Sequence, residues 1–454
     1  MSMIETTQLQ KNDIGIDKEY VRKVRHEVAR RLALKNISTS EESLRKQAAI
    51  EEAIAILEER ASDFILNGRR MPTIEEDQQI IEQVVAGMFG VGNLQSYLDD
   101  DQIENIDING PEEVWITFAN GVKVRGLPVA KDSEELVDLI RQIAMRSGIS
   151  ERRFDTAHPE LDMRLPDGSR LSGLMSVTKY PTISVRKHRY VDVTLEQEIE
   201  MGLLSPQVAL FLSACVRASK NIIVCGRTNS GKTTLLRALI NEIPAHERII
   251  TIEQSFELGI DQLKDRHPDC IALEARLPNT EGVGEVSMAD LVRRSLRMNP
   301  DRVIVGETLG PEIVALLNAM SQGFGSLSTI HSDSSAGAFR RISSYALQAV
   351  ERLPMDATNL LIAGSINFVV HVELTQKVGA EVSSEKIVNQ EKQVTRHVTS
   401  IREVVGAEGN MVISNEVFKT DEFGKLISGA PLTTSSYNDL SEFGYSAKTY
   451  GGEF

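Results

Sequence analysis

The sequence predicts an α/β protein: a parallel, helix-covered sheet preceded by a smaller α+β domain and a leading helical module. Three observations carry this prediction. From Asn221 onward, short apolar strands alternate with helical patterns, the signature of parallel strands joined by helices. The stretch Gly226–Thr234, G-R-T-N-S-G-K-T-T, sits between the first of those strands and the first of those helices. Upstream, Asn109-Gly110 and Asn120-Gly121 separate short alternating runs, the turn chemistry of hairpins.

In chain order, residues 1–94 read as a helical module with a loose polar tail of about 16 residues. Val21, Val24, Val28 and Leu32 recur at helical spacing, as do Leu44, Ile54, Leu57, Phe64 and Ile65. A third helix opens at Thr73 with Glu76 three residues on, a capping box. Residues 95–190 read as the α+β domain, with strands at Glu104–Ile108, Val114–Phe118, Val122–Val124, Leu161–Leu165, Arg170–Met175 and Thr182–Arg186 and a helix from Asp132 to Ser147. A linker follows at 191–205, then the main domain at 206–432. Its expected strands are Asn221–Cys225, Arg248–Ile252, Arg302–Gly306, Ser326–Ile330 and Phe368–Val372, with helices at Ser287–Met298 and Pro311–Gln322 and a further short β region at Ser400–Val405 and Asn410–Asn415. Residues 433–454, rich in Ser, Tyr and Gly, read as a flexible tail.

Composition narrows the function classes. The 454 residues carry a net charge of −15 and are 41% apolar and 25% charged, with one tryptophan, Trp115. An acidic balance argues against a protein whose main task is gripping nucleic acid. The cysteines, Cys215, Cys225 and Cys270, have no metal-like spacing and fit a reducing compartment. The polar N-terminus offers no signal peptide, and no apolar run approaches the roughly 18 residues of a membrane span. The expectation is a cytoplasmic protein that reaches a membrane only through partners.

Gly226–Thr234 fits the phosphate-loop pattern G-x-x-x-x-G-K-[ST] in its strand–loop–helix context. A phosphate chain lies against bare backbone N–H groups, which Gly226 and Gly231 permit, while Arg227, Thr228, Asn229, Ser230 and Thr234 complete the cradle. The helix that follows points its positive end at the phosphates. Lys232 reaches the β- and γ-phosphates and the Thr233 hydroxyl can complete a Mg²⁺ shell. ATP and Mg²⁺ are therefore the expected ligands.

Three further segments stand at expected strand ends. Asp301-Arg-Val-Ile-Val-Gly-Glu307 ends a strand in a carboxylate that can orient water or hold Mg²⁺. Thr251-Ile-Glu253-Gln254-Ser-Phe-Glu257-Leu258 places Glu253 at a strand's carboxyl end, where ligands of open α/β sheets bind. Gly325-Ser-Leu-Ser-Thr329-Ile-His331 ends in a histidine that is either a structural hydrogen-bonder or part of the site.

These four pieces, in this order and spacing, resemble the secretion ATPases of type II and type IV systems, in particular the CpaF-like ATPases of Tad (Flp) pili, with the VirB-type conjugation ATPases as near relatives. Phe89-Gly-Val-Gly-Asn-Leu94, Ile108-Asn-Gly-Pro111, Asp162-Met-Arg-Leu-Pro-Asp-Gly-Ser-Arg170, Leu277-Pro-Asn-Thr-Glu-Gly282 and Leu296-Arg-Met-Asn-Pro-Asp-Arg302 extend the resemblance over about residues 75–420. It implies a RecA-like phosphate-loop core and a homo-hexameric ring working with an inner-membrane platform protein. It implies Glu307 as the hydrolysis-supporting acid, Glu253 and Glu257 near Mg²⁺ and water, and His331 as γ-phosphate sensor, with Thr233, Glu253 and Glu307 as the metal-holding set. Arg164, Arg170 and Arg186 match the segments that supply arginines to the nucleotide, and Arg276 is a further candidate. The sequence departs from the family at Gln254, where Asp is usual, at Leu309, where Arg is usual, and at Ser332-Asp333, where Ala-Asn is usual. A conjugative DNA-transfer ATPase, a weakly hydrolysing ATP-binding paralogue and a helicase of similar core are the alternatives, the last disfavoured by the lack of an aromatic-rich basic channel.

Overall fold

The computed structural model describes residues 18–34, 42–66, 73–89, 94–119, 121–146, 154–165, 167–187, 192–276, 278, 282–377, 393–422 and 424–446. The expected loose tail at 1–16 and parts of the 89–94 and 277–282 segments lie outside them. The chain divides into two compact units, Met1–Ala119 with Lys123–Lys187 and Asn120–Val122 with His188–Phe454.

In the first unit, α1 (Lys18–Leu34), α2 (Glu42–Leu66) and α3 (Ile74–Phe89) bury Val24, Val28, Ala53, Ile56, Ile80 and Val84 against one another. The Thr73–Glu76 capping box is present: Thr73 N donates to Glu76 Oε2 at 2.7 Å and Glu76 N to Thr73 Oγ1 at 3.3 Å. After the short α4 (Gln95–Leu98) come β1 (Ile103–Asn109), β2 (Val114–Phe118), β3 (Lys123–Arg125), α5 (Ser133–Arg146), β4 (Glu160–Arg164), β5 (Arg170–Leu174) and β6 (Thr182–Arg186). The strands form one sheet of order β3-β2-β1-β6-β5-β4, antiparallel throughout. Alternation puts Ile106, Ile108, Leu161, Met163, Leu171, Ile183 and Val185 on the buried face, where Leu136 and Ile140 of α5 join the same core.

The second unit opens with α6 (Leu195–Glu200) and α7 (Pro206–Arg217), and continues β7 (Ile222–Gly226), α8 (Lys232–Ile240), β8 (Ile249–Glu253), β9 (Cys270–Glu274), α9 (Met288–Ser295), β10 (Arg302–Thr308), α10 (Ile313–Met320), β11 (Leu327–His331), α11 (Ser335–Gln348), α12 (Met355–Ser365), β12 (Phe368–Lys377), β13 (Gln393–Glu408), β14 (Met411–Thr420), β15 (Leu426–Ser428) and α13 (Thr434–Ser441). Nine strands make one sheet of order β15-β14-β13-β12-β7-β11-β10-β8-β9. The stretch β12 to β9 is parallel and β13 to β15 is antiparallel. The phosphate-loop strand β7 is central, its residues buried on both faces, as parallel strands under helices must be. The architecture is the α/β class the sequence predicts.

Two expectations need correction. The segment 191–205 is no free linker: Val193, Leu195, Leu203 and Leu204 enter the core of the second unit, and α6 is capped by a Thr194–Gln197 box. The region from 433 is not a flexible tail throughout, because Thr433 caps α13, and Leu440 and Tyr445 pack in the same core, with Tyr445 edge-on to Phe211 at 5.3 Å. The further β region beyond residue 375 extends the main sheet. Apolar residues spaced among polar ones supply the packing in each case, and composition hides them.

Candidate functional site

The phosphate loop leaves β7 at Gly226, a position that admits no side chain. A Cβ there would lie 2.3 Å from Val372 O and 2.5 Å from Ser230 Oγ. Asn229 and Gly231 take left-handed backbone, with φ of 62° and 100°, which turns the chain sharply enough to start α8 at Lys232. Arg227, Thr228 and Asn229 form the exposed crest of the loop, Ser230 is buried with an Oγ that has no hydrogen-bond partner, and Thr233 and Thr234 are half-buried on the first turn of α8. An orphaned hydroxyl and a backbone cradle that a Cβ would fill are what a bound phosphate chain requires.

Lys232 is 6% exposed and folds back over its own loop, donating to Arg227 O at 3.1 Å. Its Nζ also lies 3.3 Å from His331 Nδ1, and His331 Nε2 lies 2.9 Å from Glu307 Oε1. Strand pairing sets this up: β11 lies between β7 and β10, with His331 opposite Gly226 in register. A neutral imidazole accepts from the lysine at Nδ1 and sets Nε2 against the carboxylate. Burial lowers the pKa of His331, the Lys232 charge lowers it further, and Glu307 opposes both. Lys232, His331 and Glu307 thus form one line of close polar contacts at the carboxyl ends of three adjacent parallel strands.

Glu253 ends β8, 3% exposed. Its Oε2 accepts from the backbone N–H of Glu257 at 2.7 Å and of Leu258 at 2.8 Å, while Oε1 is buried with no hydrogen-bond partner. Burial pushes its pKa up to about 7. It packs on Gly306, where a Cβ would meet its Cγ at 3.1 Å, so a side chain before Glu307 would have to displace Glu253 slightly. One oxygen of Glu253 therefore shapes the acidic loop and the other is an orphan acceptor beside β10. Thr233, Glu307 and that orphan oxygen are hard oxygen donors of the kind Mg²⁺ takes, and the residues fit such an ion.

The sequence reading missed two arginines here. Arg237 of α8, 4% exposed, donates Nε to Leu258 O at 3.2 Å and Nη2 to Glu257 O, gripping the loop that Glu253 grips from inside. A cation in the apolar run Leu235–Ile240 was the available signal. Arg396 of β13 donates Nε to Asn229 O at 3.0 Å; it is 167 residues away along the chain, and no local pattern announces it. Arg276 donates Nε to Gly284 O at 2.6 Å, within the loop between β9 and α9. Leu309 is 48% exposed just beyond β10.

The other three expected arginines belong to the first unit. Arg164 pairs with Arg170 across β4 and β5, and Arg170 with Arg186 across β5 and β6. They form one cross-strand row on the face opposite the buried Met163, Leu171 and Val185.

Among the described residues no helix is long and apolar enough to cross a membrane. The family described as "Type II/IV secretion system protein" matches residues 90–447. The type IV secretion system protein VirB11 of Brucella suis is 30% identical over 335 residues, 67% of this chain and 90% of that protein. The putative conjugal transfer protein Rv3659c of Mycobacterium tuberculosis is 32% identical over 295 residues, 63% of this chain and 80% of that one. The crystal structure of the Brucella suis VirB11 ATPase in complex with sulphate aligns with 27% identity and a TM-score of 0.34, covering 68% of this chain and 92% of that one. With the phosphate loop, the acid and the histidine all falling inside the matched region, the chain belongs to the type II/IV secretion ATPase family.

Proposed function

We propose that this protein hydrolyses ATP as a subunit of a homo-hexameric motor, of the CpaF-like kind, that drives pilus assembly or protein secretion from the cytoplasmic face of the inner membrane through a platform protein. The observation that carries the reading is the Lys232–His331–Glu307 line beside a loop built for phosphate.

The phosphates of ATP take the backbone N–H groups of residues 229–234 and displace Lys232 from Arg227 O onto the β/γ oxygens. Once Lys232 has moved to the phosphates, the incoming negative charge favours a protonated His331, whose Nδ1–H can donate to the terminal phosphate while Nε2 stays beside Glu307. Glu307 orients the attacking water. Thr233, Glu307 and the orphan oxygen of Glu253 would hold Mg²⁺, which neutralises charge on the β- and γ-phosphates. Developing charge calls for further cations, and the Arg164–Arg170–Arg186 row supplies three. Like charges side by side cost stability, a cost that a polyanion bound across the row offsets. Membership of the family supports a ring, in which that row would serve a nucleotide.

The test is phosphate release from the purified protein beside Glu307→Gln. That variant keeps shape and loses charge, so it should hold ATP at wild-type affinity while turnover falls by about 10²–10³. Turnover within threefold of wild type would move the role to another acid, with Glu253 next in line. The mycobacterial relative's name favours a second reading, DNA export; stimulation of turnover by single-stranded DNA would select it.

A further inference from the structure

We infer that Arg396 walls the base side of the nucleotide site and stacks its guanidinium on the adenine ring, a specificity contact that rests on the ATP reading above. Strand order supplies the direction. The groups for the terminal phosphate, Lys232, His331 and Glu307, lie at β7 and on its β11–β10 side, while β12 and β13 lie on its other side. A triphosphate laid along the loop with its γ end toward β11 and β10 sends ribose and base toward β12 and β13. Arg396 stands there, opposite Leu374 of β12 in register.

Its side chain lies along the loop. Nε donates to Asn229 O at 3.0 Å, and Cδ is 3.4 Å from the point a Cβ on Gly231 would occupy. Leu203 Cδ1 lies 3.7 Å from that same point and adds apolar surface. The buried Glu198, whose Oε1 has no hydrogen-bond partner, lies within electrostatic reach of Arg396, though burial favours its protonated form. Arg396 is therefore tethered by the loop carbonyl through Nε, and its planar, weakly hydrated guanidinium suits an aromatic partner. An aliphatic wall beside a guanidinium plane is the pairing that takes a purine.

The experiment uses the full chain and two ligands that share a triphosphate, ATP and base-free inorganic tripolyphosphate. With Arg396→Ala, the Kd for ATP should rise about tenfold while that for tripolyphosphate moves less than about twofold. Arg396→Lys keeps a cation for Asn229 O but loses the plane, and should also weaken ATP selectively. Equal weakening of both ligands, full rescue by lysine, or no change in either would overturn the inference, assigning Arg396 to the phosphates or to loop shape. If the wild-type protein binds neither ligand, the phosphate-loop reading itself falls and takes this one with it.

Discussion

The two sheets of this protein place charge in opposite ways. In the nine-stranded sheet, Lys232, Glu253, Glu307 and His331 all stand at or just beyond the carboxyl ends of parallel strands, each presented by a different strand or loop. In the six-stranded sheet, Arg164, Arg170 and Arg186 stand within one face of antiparallel strands and are brought together by register alone. The first arrangement gives every residue a separate task at a fixed point. The second gives three copies of one charge along a strip, so tasks overlap. Substitutions should therefore be all-or-none in the first and graded in the second.

The largest effect is expected at Lys232. Lys232→Ala removes the only lysine of the loop and breaks the line to His331, so turnover should fall by about 10³ or more and ATP binding should weaken. Steady-state phosphate release and nucleotide titration check this, and turnover within threefold of wild type would break the comparison at its stronger end.

Next come the arginines. If the row acts as a strip, single alanine substitutions should each cost about tenfold and the triple substitution about 10³. One arginine carrying nearly the whole loss would instead mark a single finger. Mixing sharpens this further. Arg164→Ala and Lys232→Ala proteins, each impaired alone, should regain partial turnover in mixed rings if the arginine serves a neighbour's nucleotide, and no recovery in proven mixed rings would exclude that.

The smallest effect concerns stability. Burial pushes the Glu198 carboxyl up to about 7, against the pull of Arg396. A folded-state pKa raised above the unfolded value means the native state holds the proton more tightly, so this contribution is full at pH below about 4.5 and is lost as pH rises toward about 7. Glu198→Gln removes the titration. Its melting temperature should exceed wild type by about 2–4 °C at pH 8 and match it near pH 5. A constant difference across that range would mean the carboxylate is stabilised by more than burial allows.

How much of this was legible in the sequence differs by region. The phosphate loop, the strand ending in Glu307 and the strand ending in His331 could be read because each is contiguous: a few residues in a row carry both the strand and its terminal group. The capping box at Thr73 and the turn at Asn109-Gly110 were legible for the same reason, while Asn120 of the second expected turn lies outside the described residues. The packing of residues 193–204 and 434–445 was not, since Val193, Leu203, Leu440 and Tyr445 gain meaning only from the core they enter.

What the sequence determined by itself is the local pattern: a loop with the phosphate-loop spacing, hard oxygen donors, and acids and a histidine at strand ends. What only the tertiary structure decided is who meets whom. It turned Glu253 inward onto the amides of Glu257 and Leu258, joined Lys232 to Glu307 through His331, laid three arginines in one row, and carried Arg396 across 167 residues to the loop at Asn229. The physical reason is that motif residues are tied by adjacent peptide bonds, whereas these contacts are tied by strand order and register, which emerge only when the whole sheet buries its faces.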